Sequence, residues 1–152
     1  MPDLTFPEAR HVPGGDAPLQ VLLVDDDPTD LELAAIVFGE HDLTLRTFGT
    51  GAAALTHLHA ADPLPDVVVL DVNMPHLSGF EVLSAIRSEQ RLRHLPVVML
   101  STSGEDRDVS RAYDLLASSY LVKERDFLAF EQQVQGFVQF WNTCLFPGRR
   151  TD

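Results

Sequence analysis

Five short apolar runs punctuate the chain, and their alternation with segments of helical length constrains the fold more than any other feature. The runs are VLLV at 21–24, LTLRTF at 43–48, VVVL at 67–70, VVML at 97–100 and YLV at 120–122. Most are rich in β-branched residues and flanked by Asp, Pro or Ser. That is the signature of strands buried on both faces of a parallel sheet. Segments of helical length separate them, at 28–40, 51–59, 78–89 and 106–116, and a longer one at about 126–143 closes the series. In the third, Phe80, Leu83, Ile86 and Arg87 share a helical face, with Glu81 and Ser88 on the other side. Strict alternation of five strands and five helices predicts an α/β fold, a doubly wound five-stranded parallel sheet covered on both faces.

In such sheets ligands bind beyond the carboxyl ends of the strands. After the first run stand Asp25, Asp26 and Asp27; after the third, Asp71-Val72-Asn73-Met74-Pro75. Ser101-Thr102-Ser103 come after the fourth run and Lys123 after the fifth, whereas the second ends in Phe48-Gly49. Carboxylates crowded at one edge repel one another unless a cation neutralises them. An all-oxygen set without His or Cys suits a hard ion such as Mg²⁺, which keeps waters for a phosphate. Lys123 offers a point charge to a phosphoryl oxygen and Ser101 a hydroxyl donor. Phosphoryl transfer needs little beyond positioning and charge neutralisation, and an aspartate nucleophile beside a metal would form an acyl phosphate. Asp27 reads differently: it precedes Pro28, with Asp30 in the first turn, and is expected to cap a helix.

Composition narrows the function classes. With 23 acidic against 11 basic residues the formal net charge is −12, which opposes nucleic acid and anionic lipid as partners. No stretch approaches the ~20 apolar residues of a spanning helix. The single cysteine, Cys144, excludes an intramolecular disulfide framework, and the six histidines are too scattered for a transition-metal site. Residues 1–18 hold four of the ten prolines and are expected to be a flexible leader; 19–146 form the folded unit and 147–152 a frayed tail. The expected location is cytoplasmic.

Taken in order, VLLVDDDP, VVVLDVNMPHLSG, PVVMLSTS and YLVK resemble the receiver domains of bacterial two-component response regulators. The resemblance covers about residues 19–143 and implies a flavodoxin-like sheet of order 2-1-3-4-5. It implies Asp71 as phosphoacceptor, with Asp25, Asp26, Asp71 and the backbone carbonyl of Asn73 holding Mg²⁺. Ser101 and Lys123 would contact the phosphoryl group, and Tyr120 would be the aromatic switch that moves with the Ser101 hydroxyl. Such a protein is a phosphoacceptor rather than an enzyme, and its output runs through protein contact. Two departures stand out: Glu124 replaces the Pro that usually succeeds the lysine, so no cis bond is expected there, and Thr102 replaces a small residue. STSGEDRDVSRAYDLLASSYLVK and FVQFWNTCLFP resemble more closely the single-domain regulators that partner phytochrome-type sensor histidine kinases.

In the last helix Phe127, Phe130, Val134, Phe137 and Trp141 recur at three- and four-residue spacing, as a core stripe should. Leu128, Val138, Phe140, Leu145 and Phe146 lie partly outside it. Together with Trp141 they form the expected partner surface, with a homodimer through this helix as the expected use. Two other readings compete. A phosphorylation-independent pseudo-receiver would lose part of the acidic pocket. An aspartate-nucleophile phosphatase needs a second Asp two residues after the nucleophile, where Asn73 stands.

Overall fold

The computed structural model describes residues 17–146, so most of the expected leader and all of the expected tail lie outside the described residues. Five strands and five helices alternate along the chain. They are β1 (Leu19–Val24), α1 (Pro28–Phe38), β2 (Leu43–Phe48), α2 (Gly51–Ala60), β3 (Val67–Asp71), α3 (Gly79–Ser88), β4 (Val97–Ser101), α4 (Asp106–Asp114), β5 (Ser119–Val122) and α5 (Phe127–Asn142). All pairings are parallel, in the order β2-β1-β3-β4-β5. The expected fold class and strand order are both present.

Alternation within the strands divides the core in two. Leu22, Val24, Val68, Leu70, Val97 and Met99 face α2, α3 and α4, where they meet Leu58, Phe80, Leu83, Ile86 and Ala112. Their neighbours Val21, Leu23, Val67, Val69 and Val98 face α1 and α5, and pack on Val37, Phe38, Phe130, Val134 and Trp141. Burying each Val, Leu or Phe side chain contributes about 1.5–3 kcal/mol, so these two layers dominate the stability. Edge strand β2 instead mixes half-buried with exposed residues, Arg46 and Thr47 being exposed in succession.

Helix starts are set by their caps. Asp27 accepts hydrogen bonds from the N–H groups of Thr29 and Asp30, as expected, with Pro28 opening α1. Ser78 and Glu81 form a reciprocal capping box on α3, and Asp126 accepts from the N–H of Ala129 at the head of α5. α4 differs, because Glu105 supplies no side-chain cap and Ala112 is its one buried residue.

The last helix requires a correction. Val138 (5% exposed), Trp141 (9%) and Phe146 (5%) belong to the core rather than to a partner surface. The chain bends after Thr143 and folds Phe146 back onto Trp141, the rings stacking at 6.2 Å and 20°. Phe127, expected in the core stripe, is 47% exposed at the first turn of α5. Leu128, Phe140 and Leu145 do remain exposed.

Candidate functional site

The carboxyl ends of β1, β3, β4 and β5 bring the five candidate groups together. Asp25 succeeds β1 and is 6% exposed; its N–H is fixed by the carbonyl of Phe48 at the end of β2, at 3.1 Å. The second strand thus supplies a backbone support for the site although it carries no functional side chain. Asp26 is exposed, and Asp71 is the half-buried last residue of β3. One carboxylate oxygen of each of Asp25, Asp26 and Asp71 lies within 4.8 Å of the others.

The electrostatics of this trio are adverse without a cation. Burial first, then the Asp25 charge, push the Asp71 carboxyl up to about 7, and Asp26 adds to the rise. The Asn73 N–H, 3.3 Å from Asp71 Oδ1, and the Lys123 charge oppose it. Three oxygen-donor side chains that repel one another and converge to within a metal's reach fit a hard divalent ion kept partly hydrated. Asp25, Asp26 and Asp71 would hold it, together with the Asn73 backbone carbonyl two residues on.

The loop after Asp71 packs tightly against the end of β3. A Cβ placed on Gly79 would stand 2.2 Å from the Asp71 carbonyl oxygen, so only glycine lets α3 begin this close to the end of β3. The N–H of Gly79 donates to Val72 O at 3.0 Å and closes the loop. Within it His76 adopts a left-handed φ of 66°.

Ser101 ends β4 at 1% exposure, and its hydroxyl oxygen accepts the N–H of Ser103 at 3.1 Å. Lys123 succeeds β5, and its N–H donates to Ser101 O at 2.8 Å, joining the two strand ends. The Lys123 ammonium makes two ion pairs, with Asp25 Oδ2 at 3.3 Å and Asp30 Oδ2 at 3.0 Å. Burial alone would lower its pKa, but the contacts with Asp30 and Asp25 outweigh it and raise it. Tyr120 packs on the α3 side of the core, and its phenol donates to Ser103 O at 2.6 Å.

Three participants escaped the sequence. Asp30 pairs with Lys123, whereas an acid in a first helical turn is already explained by the helix dipole. Ser103 donates to Asp108 Oδ2 at 2.8 Å and accepts the N–H of Glu105 at 3.3 Å. Gln133 of α5 donates to Val122 O at 2.8 Å and accepts the N–H of Glu124 at 3.2 Å, bracketing Lys123. A proline at 124 would have no N–H for that second bond. The Lys123–Glu124 bond is not cis, as expected; the cis peptide among the described residues is Asp62–Pro63.

Size does not mark the site. A cavity of about 720 Å³ opens at the opposite end of the sheet, between Asp62–Asp66, His94–Pro96 and Phe146, and holds none of the clustered acids. The convergent charges at the carboxyl edge are the better guide.

Comparisons with known proteins agree on the family. The model of the response regulator receiver domain matches residues 21–135. The response regulator Rcp1 of Synechocystis sp. is 34% identical over 131 residues, which cover 82% of this chain and 89% of that protein. Among solved structures, the phosphorylated cyanobacterial phytochrome response regulator RcpA superposes with a TM-score of 0.81 at 31% identity, covering 87% of this chain and 100% of that one. The manganese-bound form of Rcp1 superposes at 0.76 with 33% identity, covering 85% and 99%.

Proposed function

The chain belongs to the response-regulator receiver family and is related to phytochrome response regulators; on that premise we propose that it accepts a phosphoryl group from a sensor histidine kinase onto Asp71. The observation that carries this reading is the clustering of the Asp25, Asp26 and Asp71 carboxylates within 4.8 Å, with Lys123 and Ser101 at adjoining strand ends.

An Asp71 carboxylate oxygen attacks the phosphorus of a phosphohistidine. The P–N bond breaks, its electron pair stays on the imidazole, and an acyl phosphate forms on Asp71. Lys123 neutralises one phosphoryl oxygen, and the Ser101 hydroxyl turns from the Ser103 N–H to donate to another. A divalent cation, which we take to be Mg²⁺, supplies charge neutralisation; Asp25, Asp26, Asp71 and the Asn73 carbonyl are its ligands in this reading. The related response regulator Rcp1 has been solved in a manganese-bound form, which supports a divalent ion for this chain. Movement of the loop at 101–103 then reaches Tyr120 through the Ser103 carbonyl.

The kinase is proposed to be of the phytochrome type, because RcpA is described as a phytochrome response regulator. Output through protein contact, without nucleic acid or membrane, accords with the net charge of −12. A homodimer through α5 is proposed, now on the exposed Leu128, Phe140 and Leu145. No helix among the described residues is long and apolar enough to cross a membrane, and a cytoplasmic location remains the proposal.

Acetyl phosphate with Mg²⁺ tests the reaction directly. One phosphoryl group is expected on Asp71 by mass spectrometry, and none on Asp71→Asn. Equal labelling of both proteins would refute the assignment. Transfer from the histidine kinases of the same genome, profiled side by side, tests the partner.

A further inference from the structure

Lys123 is the one lysine of the pocket, yet its nearest partner is neither the acceptor nor a clustered acid. Its ammonium stands 3.0 Å from Asp30 Oδ2 and 3.3 Å from Asp25 Oδ2, and neither of its ion pairs is to Asp71. The Lys123 side chain is 13% exposed and that of Asp30 38%. Asp30 sits on a fixed base, since Pro28 and the Asp27 cap define the first turn of α1. Asp27 already caps that turn, so the cap does not require the Asp30 carboxylate. The dipole would favour an acid there without asking it to reach a half-buried lysine 93 positions away in sequence.

We propose that Asp30 is a positioning residue that competes with the phosphoryl group for the Lys123 ammonium. The inference rests on the reading of Asp71 as phosphoacceptor. Neither of its two pairs is to Asp71, so to reach a phosphoryl oxygen there the ammonium would shift and stretch at least one of them, even though a third N–H is free to donate. Asp25, one of the residues that would hold a cation with Asp26 and Asp71, would then have less of its charge to offer Lys123. Asp30 lies outside the clustered trio, so its hold is unaffected and it sets the cost of moving Lys123. The acid on α1 thereby tunes how readily the pocket accepts a phosphoryl group.

The test is calorimetric titration of the Mg²⁺-loaded full chain with beryllofluoride, a phosphoryl mimic. Asp30→Asn, or Asp30→Ala as a second variant, is expected to bind it about two- to fivefold more tightly than the wild type, the range that a partly exposed ion pair carries. In a Lys123→Gln background the same substitutions are expected to change affinity by much less, because the competed group is gone. Unchanged or weaker binding in the Asp30 variants, or an equal gain without Lys123, overturns the assignment of Asp30 and leaves that of Asp71 intact. Failure of the wild type to bind beryllofluoride, together with no label at Asp71, overturns both.

Discussion

The phenol of Tyr120 donates a 2.6 Å hydrogen bond to the carbonyl of Ser103, tying β5 to the loop that follows Ser101. Ser103 is a junction: its N–H meets Ser101, its carbonyl meets Tyr120, and its hydroxyl meets Asp108 and Glu105 at the start of α4. A displacement of Ser101, as the proposed function requires, would therefore act on Tyr120 and α4 through one residue. Tyr120→Phe removes the hydroxyl alone and is expected to cost about 1 kcal/mol. Amide hydrogen exchange at 103–105 should accelerate several fold. Exchange unchanged from the wild type would show that the bond does not hold the loop.

Asp71 gives the metal-free protein a signed pH dependence. Its carboxyl is raised from an ordinary 3.8 to about 7, so the fold favours the protonated form. The corresponding stability is fully present below about pH 4 and is lost as pH rises through 7. Asp71→Asn is neutral throughout and escapes that loss. In chelator its Tm should match the wild type near pH 4 and exceed it by a few degrees at pH 8. That corresponds to on the order of 1 kcal/mol after discounting for solvent screening. A gap of the same size at both pH values would contradict the assignment.

Gln133 should matter to phosphoryl binding and not to metal binding. Its amide holds the backbone on both sides of Lys123, and it stands apart from the clustered carboxylates. Gln133→Ala is expected to cost about 1–2 kcal/mol and to weaken beryllofluoride binding severalfold, with Mg²⁺ affinity unchanged. Parallel losses for both ligands would point to general unfolding of the pocket instead.

Adjacent aromatics on α5 are expected to separate two roles. Trp141 is buried against Phe137 and Phe146, and Trp141→Ala should cost about 3–5 kcal/mol. Phe140 is 59% exposed, so Phe140→Gln should leave the monomer's Tm nearly unchanged and weaken a homodimer. Analytical ultracentrifugation at micromolar concentration checks the second outcome. A wild type that sediments as a monomer removes the dimer proposal.

Much of the fold was legible because the central strands are β-branched and buried on both faces, and their ends carry unlike chemistry. β2 lies at 43–48 as its run implied, and the Asp27 cap was readable from Pro28 beside it. The misplaced residues have separate causes. Val138 lies on the helical face of Phe130, Val134 and Trp141 and is buried with them, whereas Phe146 is buried because the chain beyond α5 bends back over Trp141, which helical periodicity does not foresee. Asp30, Ser103 and Gln133 were hidden for another reason. Each acts through a neighbour brought close by tertiary packing or loop geometry, and each has an ordinary local role that explains its residue type.

Register joins the site to the sheet as a whole. Val24 pairs with Leu70, Asp71 with Leu100 and Ser101 with Val122, so every functional side chain sits at or just past a paired strand end. A slip of one residue in any central strand would shift its group by about 3.3 Å and turn it to the other face. The proposed cation site therefore reports on the pairing of β1 with β3. Only chains with those two strands correctly aligned would bring Asp25, Asp26 and Asp71 together, and by mass action a bound ion would favour that alignment.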